Sequence, residues 1–527
     1  VALSYFVSGA SSFSISPPPS TASCSAIRSR TPSSALLARR GSYNPLSMFG
    51  DLAASFIPGG GGGKTMGEAN AQLDSTIASL VPSQWEDIRS KLESMQTDQE
   101  KQFRNNVERG IGKASPLNKI RLFDESNTDN DVRVVFYRDH ASWCPYCHKV
   151  WMCLEEKRIP YRVEKINMRC YGEKPPSFSR LQPSGAIPVA EIDGVVYNQS
   201  NDIMFALEQK FPEKKSLSPS NEEDRSRAQR LLRLERTLFS AWMGWLTAGY
   251  GKDRFIDVLN EVESELQASK GGDFFMGGSV SLVDFMFAPF LERIAASLVY
   301  FKGYQFRVAK GAKTQFPAIN KWFDAMETLE SYQLTKSDYY THCWDLPPQL
   351  GGCSYEKDGE PFEKAINGEV GGSWELPLEK DLGGIEPDWD WCGDDSAARR
   401  EATERLSFNH DNIVKFAARG AGRKGMPSYS APLSDPNAVS NEAVLMSVDA
   451  TLRLISLAML EGSTDPHEQD MVALANSLTK EGGAEFAKDC ANSLAYLRDR
   501  VGVPRDMRLP AARQFRAHLN WAIAKII

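Results

Sequence analysis

Apolar and polar positions along the 527-residue chain repeat with more than one period. From 70 to 113 they recur at helical spacing on a charged background, interrupted at Pro82. Ser83 with Glu86 reads as a capping box that restarts the helix ahead of Ile88 and Leu92. One apolar stripe on a charged helix predicts packing on the body of the protein, with an amphipathic membrane-surface role as the alternative. At 132–137 the period shortens: VRVVFY is a β-branched and aromatic run, a buried strand. Val150, Met152, Leu154 and Ile159 return to helical spacing and stop before Pro160. Residues 161–166 alternate as a second strand, and a loop with Pro175 and Pro176 follows. Two short strands at 190–192 and 195–197 flank Asp193-Gly194, a strong hairpin signal. Gln199-Ser200-Asn201-Asp202 opens a helix to about Lys210. The order over 131–215 is β-α-β-α-β-β-α, provided the loop before Ser184 contains a short helix.

Beyond this the pattern is helical. Amphipathic stretches run over 228–245 and 255–266, and again over 444–460, 486–497 and 511–526. Between the two groups, 356–395 holds 13 acidic and three basic residues with Gly pairs and Trp374, Trp389 and Trp391. It reads as an irregular acidic connector stapled by its tryptophans. Asp388, Asp390, Asp394 and Asp395 match no calcium-loop spacing, so a solvated loop is preferred to a cation site. Residues 396–527 carry 17 basic and 15 acidic side chains, the balance of a globular domain. Arg419-Gly420-Ala421-Gly422-Arg423 is a glycine turn with two guanidiniums, either structural or an anion site.

Composition narrows the function. Hydrophobic residues at 42% and charged residues at 24% exclude wholesale disorder. A net charge of −7 argues against nucleic acid as a main partner. Nine scattered cysteines are no disulfide scaffold and suit a reducing compartment. No stretch reads as a membrane span; the most apolar region, 281–301, is broken by Asp284, Glu292 and Arg293. Residues 1–50 contain 14 Ser and four Arg and no acidic residue, the composition of a transit peptide, plastid rather than mitochondrial. The sequence starts at Val1, so it reads as lacking its first residues. Gly59 to Gly63 before Lys64-Thr65 imitates a phosphate loop, but Pro58 occupies the required glycine position and no strand precedes it.

The chemistry centres on Cys144-Pro145-Tyr146-Cys147-His148. Zinc usually needs a second cysteine pair or two histidines, and haem attachment would not place this motif between a buried strand and a helix. The remaining reading is a redox thiol at a helix N-terminus. Pro145 suits the first helical position, and orphan N–H groups with the positive end of the helix favour thiolate at Cys144. Cys147, one turn deeper, could attack a mixed disulfide on Cys144. His148 either adds positive charge or is simply packed. Cys153 and Cys170 read as ordinary structural or surface thiols. Ile187-Pro188 would form the second half of the site.

With these motifs, residues 131–345 resemble a glutathione transferase. Trp143-Cys144-Pro145-Tyr146-Cys147 is similar to a dithiol glutaredoxin site, and Ser184-Gly185-Ala186-Ile187-Pro188-Val189 to the family's cis-proline segment. Gln199-Ser200 matches the pair that binds the γ-glutamyl end of glutathione, and Ser281-Leu282-Val283-Asp284 the capping box of the family's helical domain. The resemblance implies an α+β/α chain. Residues 1–67 would be transit peptide and linker and 68–130 a helical extension. A thioredoxin-like domain at 131–215 and an all-α transferase domain at 216–345 would follow, then the acidic connector at 346–395 and an α-helical domain at 396–527. Trp242, Trp245 and Tyr250 would either line a hydrophobic substrate site or pack in the core.

A Cys in place of the usual Ser or Tyr resembles the omega, lambda and dehydroascorbate reductase types, and the long extensions look closest to the iota class of photosynthetic organisms. The implied activity is glutathione-dependent thiol transfer, deglutathionylation or disulfide reduction. Cys144 and Cys147 would be catalytic. Ile187, Pro188, Gln199 and Ser200 would hold glutathione, with no metal. The implied partners are glutathione and a disulfide or electrophilic small molecule, with a dimer or a protein partner through the C-terminal domain. The rival is a non-catalytic ligand- or complex-binding protein on the same scaffold.

Overall fold

The computed structural model describes residues 66–370, 373–378, 384–387, 394–433 and 435–527. The transit-peptide reading, the glycine-rich stretch, Trp389, Trp391, Asp388 and Asp390 fall outside these residues. Three helices come first: α1 (Met66–Leu80), α2 (Trp85–Met95) and α3 (Asp98–Arg109). The capping box that starts α2 is made by Gln84 and Asp87, one residue later than the Ser83 and Glu86 read from the sequence. A second box, Thr97 with Glu100, starts α3 and splits what the periodicity shows as one helix.

A five-stranded sheet follows, ordered β1-β3-β2-β4-β5. It comprises β1 (Ile120–Arg121), β2 (Val134–Asp139), β3 (Tyr161–Ile166), β4 (Val189–Ile192) and β5 (Val195–Tyr197). Strands β2 and β3 run parallel with Val134 opposite Tyr161, joined by α4 (Pro145–Lys157). Strand β4 returns antiparallel, placing Phe136 opposite Ala190. The short helix expected before Ser184 is α5 (Pro176–Leu181), and α6 (Ser200–Lys210) closes the unit. The edge strand β1 is an addition that its two residues do not announce in sequence. Arg121 on it is buried and bonded through Nη2 to Glu155 Oε2 at 2.8 Å.

The all-α part stacks α7 (Glu222–Ala248), α8 (Lys252–Gln267), α9 (Leu282–Lys302), α10 (Pro317–Met326), α11 (Glu330–Gln333), α12 (Tyr339–Leu350) and α13 (Glu360–Ile366). Helix α9 is buried along its whole length. Ser281 caps it as expected: Asp284 Oδ2 accepts from the Ser281 N–H at 2.8 Å, and its Oδ1 from Trp322 Nε1 at 2.9 Å. This fold, a thioredoxin-like unit followed by a helical domain and a C-terminal helical extension, is the glutathione transferase fold expected from the sequence.

The extension contains α14 (Asp395–Ser407), α15 (His410–Ala417), α16 (Leu445–Glu461), α17 (Glu468–Gly482), α18 (Ala484–Arg500) and α19 (Leu509–Ile526). Its core is shared with the first helices of the chain. Leu73, Ile77, Trp85, Ile88 and Leu92 pack in one apolar cluster with Leu406, Val448, Ile455 and Leu474. Trp85 Nε1 donates to Asp449 Oδ1 at 2.7 Å, and Arg453 Nη1 to the Val81 carbonyl at 2.9 Å. The stripe on α1 and α2 therefore faces helices rather than a membrane surface. The stretch Glu442–Glu461 is long and apolar enough to cross a bilayer, which the sequence reading overlooked; 72% of its apolar window is buried inside this helical body.

The two bodies meet at a polar seam. Arg516 Nη1 donates to Asp338 Oδ2 at 2.8 Å, with each side chain 1% exposed. Arg516 Nη2 also donates to the Val501 carbonyl, and Tyr340 OH to the Asp499 carbonyl. From the connector, Trp374 is buried edge-on to Tyr340, as its stapling role requires.

Candidate functional site

Strand β2 ends on Asp139, and the chain turns through Ser142 (φ +58°) into α4. Asp139 Oδ2 holds this turn by accepting from the backbone N–H of Trp143 at 2.6 Å and of Cys144 at 3.1 Å. Cys144 is the N-cap of α4 and Pro145 its first residue, as the sequence predicts. The Cys144 sulfur makes no capping hydrogen bond to the first-turn amides. Its partner is Cys147, whose thiol is hydrogen-bonded to it. Burial, reinforced by that bond and by the charge of Cys144, pushes the Cys147 thiol well above its ordinary range. Cys144 is 8% exposed and Cys147 1%.

The two sulfurs and an Asp139 oxygen lie within 4.8 Å of one another, near enough to hold a metal ion. Asp139 Oδ2, however, already takes two backbone N–H groups. Cys153 and Cys170 are buried, and burial raises both thiols, Cys170 to about 12. They are structural and not surface thiols.

The other predicted residues flank this centre. The Ile187–Pro188 bond is cis and leads directly into β4. Ile187 packs against the apolar cluster that contains Cys144 and Cys147. Gln199 is the N-cap of α6 and Ser200 its first residue, so the backbone amides of that turn are unused by the helix itself. Lys149 ties the two helix starts together: from α4 its Nζ donates to Asn201 Oδ1 at 2.6 Å. Burial lowers Lys149 to about 8.

His148 does not add positive charge. It is 4% exposed, its Nε2 is 2.9 Å from Thr335 Oγ1, and burial lowers it to about 4 despite nearby Glu292. Trp242 and Trp245 are core residues, with indole N–H groups bonded to Ser297 and Glu356, whereas Tyr250 is 73% exposed. The aromatic side chains beside Tyr146 are instead Phe290, with ring centroids 5.7 Å apart, and Phe239, 5.3 Å from Phe290.

Several site residues escape a sequence reading. Arg293, from α9, donates to the Trp143 carbonyl and lies 5.0 Å over the Trp143 ring. It stands 150 positions from its partner, and nothing local signals it. Lys174 reaches over Gly185 and feels the charge of Cys147, Cys144 and Asp139. Asp139 was the findable one, an acid at the end of the strand that leads into the motif.

A thioredoxin-like unit presenting Cys-Pro-Tyr-Cys at a helix start, backed by a helical domain, is the glutathione transferase fold, and two parts of the chain match family models for it. Residues 143–210 match the family model "Glutathione S-transferase, N-terminal domain" and residues 227–325 "Glutathione S-transferase, C-terminal domain". Among similar proteins, "Glutathione S-transferase DHAR2" of Arabidopsis thaliana is 26% identical over 198 residues, 37% of this chain and 84% of its own. "Glutathione S-transferase DHAR3, chloroplastic" of the same plant is 25% identical over 199 residues, 37% of this chain and 69% of its own. A solved dehydroascorbate reductase from Chlamydomonas reinhardtii is similar over 40% of this chain and 94% of its own, with 23% identity and a TM-score of 0.33.

Proposed function

We propose that the protein is a glutathione-dependent thiol transferase working through Cys144, within the type of glutathione transferase that carries an active-site Cys and closest to the iota class. The observation that carries this reading is the position of Cys144 as N-cap of α4 with Cys147 bonded to it. A sulfur there stands at the start of the helix with the Cys147 thiol one turn away, the placement of a nucleophilic motif cysteine.

The Cys144 thiolate attacks the glutathione sulfur of a mixed disulfide. The S–S bond breaks, the substrate sulfur leaves as a thiolate and takes up a proton, and glutathione stays on Cys144. A second glutathione thiolate then attacks that adduct, releasing oxidised glutathione and restoring Cys144. Gln199, Ser200 and the α6 amides are the ligands for the γ-glutamyl carboxylate, and Ile187 with Pro188 for the glutathione backbone. Reduction of dehydroascorbate, the activity named for the solved algal protein, belongs in the same substrate panel. Residues 1–67 would direct the chain to a plastid, in keeping with relatives whose names carry the word chloroplastic.

Incubation of the full chain with oxidised glutathione, followed by intact mass, tests the reading. Uptake of one glutathione by the parent and none by Cys144→Ser is the expected outcome. A parent that neither takes up glutathione nor loses two hydrogens to a Cys144–Cys147 disulfide, or a variant that still takes glutathione up, would overturn it in favour of a binding protein or of another nucleophile.

A further inference from the structure

A second cavity, of about 1370 Å³, lies where the transferase body, α3 and the C-terminal helices meet. None of Cys144, Cys147, Ile187, Gln199 and Ser200 lines it. Small-molecule sites span roughly 300–1,000 Å³, so there is room for a sizeable ligand with water. Its walls are of two kinds. Phe408, Phe416, Leu433 and Phe515 supply apolar surface. Facing the same space, seven side chains are Lys or Arg and four are Asp or Glu.

Two of these cations pair with carboxylates, Arg104 with Glu93 at 3.1 Å and Arg505 with Asp506 at 2.7 Å; the other five do not. Lys119, Arg405, Lys415, Arg419 and Arg500 form no ion pair within 4.0 Å among the described residues. Arg500 lies over the Tyr496 ring at 3.5 Å, and its buried Nε has no hydrogen-bond partner. The buried Nε of Arg405 has none either. A cation at the cavity wall with no carboxylate beside it attracts an anion, to which its exposed N–H groups can donate.

The glycine turn at 419–423 explains how one of these cations is placed. A Cβ on Gly422 would come within 1.8 Å of the Val439 carbonyl oxygen, and one on Gly420 within 2.4 Å of the Asn492 carbonyl oxygen. The turn is thus pressed onto α18 at Gly420 and onto the Val439 backbone at Gly422, and Arg419, stacked on Phe416 and bonded to the Asp435 carbonyl, is left at the cavity wall. The structural reading of this motif holds for its glycines.

We infer that the cavity binds an amphipathic organic anion, its sulfonate, carboxylate or phosphate on the Arg405–Arg419–Arg500 side and its apolar body against Phe408, Phe416 and Phe515. The site stands apart from the thiol chemistry and needs the appended helices to exist.

The test uses the fluorescent probe 1-anilinonaphthalene-8-sulfonate with the full chain. Single-site binding that persists under saturating S-hexylglutathione is the expected result. Arg405→Gln and Arg500→Gln should each weaken it roughly tenfold, the scale of one charge-assisted hydrogen bond. Lys119→Glu alters an exposed lysine and should weaken it likewise, which keeps the test alive if an arginine variant fails to fold. Amide exchange should slow at 404–419 and 500–507 when the probe binds. Absence of binding, displacement by S-hexylglutathione, affinity unchanged in the folded variants, or slowed exchange confined to other segments would each overturn the inference.

Discussion

The transferase body and the helical body solve the same problem of placing charge inside a fold in opposite ways. Around Cys144 the contacts that shape the turn itself are short in sequence, although Arg293 reaches the Trp143 carbonyl from 150 positions away. Asp139 caps the turn four and five residues ahead, and Lys149 is bonded to Asn201. In the helical body the partners come from the two ends of the chain, as where Arg453 bonds the Val81 carbonyl across 372 positions. At its junction with the transferase body, several arginines and lysines are left without a carboxylate. Chemistry that depends on one helix start is written locally. A body assembled from distant segments is written in complementary faces, and its polar leftovers sit at the junction.

The sharpest way to break this contrast is to remove the local element. Cys144→Ser should reduce turnover of a glutathionylated substrate by about a thousandfold or more, because an alcohol is a far weaker nucleophile and no nearby base activates it. The folded stability should stay within about 1 kcal/mol, as the change is nearly isosteric. A steady-state rate assay beside a thermal melt checks both. A variant keeping more than a few per cent of the parent rate would place the nucleophile elsewhere.

The seam between the bodies should respond in stability rather than in chemistry. Arg516→Ala leaves the Asp338 carboxylate buried, where it also accepts from the Thr341 N–H as N-cap of α12. Breaking a buried pair on one side costs about 3–5 kcal/mol. Denaturant unfolding of the full chain should show a loss of that order. The double change Arg516→Met with Asp338→Asn should lose less, since no buried charge remains. A single substitution costing under about 1 kcal/mol would mean that the bodies are joined by their apolar contacts alone.

How much of this was legible follows from the same contrast. The helix start at Cys144, the cis bond before Pro188 and the helix start at Gln199-Ser200 were readable because each is a local pattern with a local physical reason. The Ser281–Asp284 box was readable likewise. Arg293 could not be found, since its contact with Trp143 depends on how α9 packs across α4. The stripe on Ile88 and Leu92 announced that a face had to be covered, but not that Leu406, Val448 and Ile455, far later in the chain, would cover it. The sequence reading misplaced the α2 cap by one residue because Ser83 is the commoner capping type, whereas Gln84 is the residue with the extended backbone and the Asp87 partner. At His148 the structure takes the packed alternative: the ring lies against Thr335 and Tyr332, and burial removes the charge that adjacency to the motif allows.

Acid should erode both bodies through such histidines. His140, His148 and His518 are all lowered to about 4, burial being the first cause in each. The unfolded chain, with histidine near 6.5, binds these protons first, so it gains protons relative to the fold as pH drops below about 6.5. Their contribution is complete above that pH and is lost progressively down to about 4. For the buried His148 alone the loss is about 2 kcal/mol at pH 5. Stability measured from pH 7 to 4.5 should therefore fall, and His148→Gln should flatten the slope. An unchanged slope in that variant would show that His148 is protonated in the folded state, restoring the charge that burial argues away.

The smallest effect is expected at Cys147, and it bears on the local side of the comparison most finely. Resolution of the adduct on Cys144 by a second glutathione does not need Cys147. Resolution by Cys147 would be faster, because a tethered thiol acts at high effective concentration. Yet Cys147 is buried, bonded to Cys144 and pushed well above its ordinary range, so little of it is thiolate at neutral pH. Cys147→Ser should leave turnover of glutathionylated substrates within about twofold, since serine can still donate a hydrogen bond to the Cys144 sulfur. Reduction of protein disulfides, which benefits from the tether, should fall further, and the glutathione adduct on Cys144 should persist longer by intact mass. Cys147→Ala removes the donor as well. If it loses deglutathionylation while Cys147→Ser does not, Cys147 acts by holding charge on Cys144. Equal losses for Ser and Ala in both assays would mean that the second sulfur itself takes part in the chemistry. No loss in any assay would make it a packed thiol that the motif only resembles a partner in having.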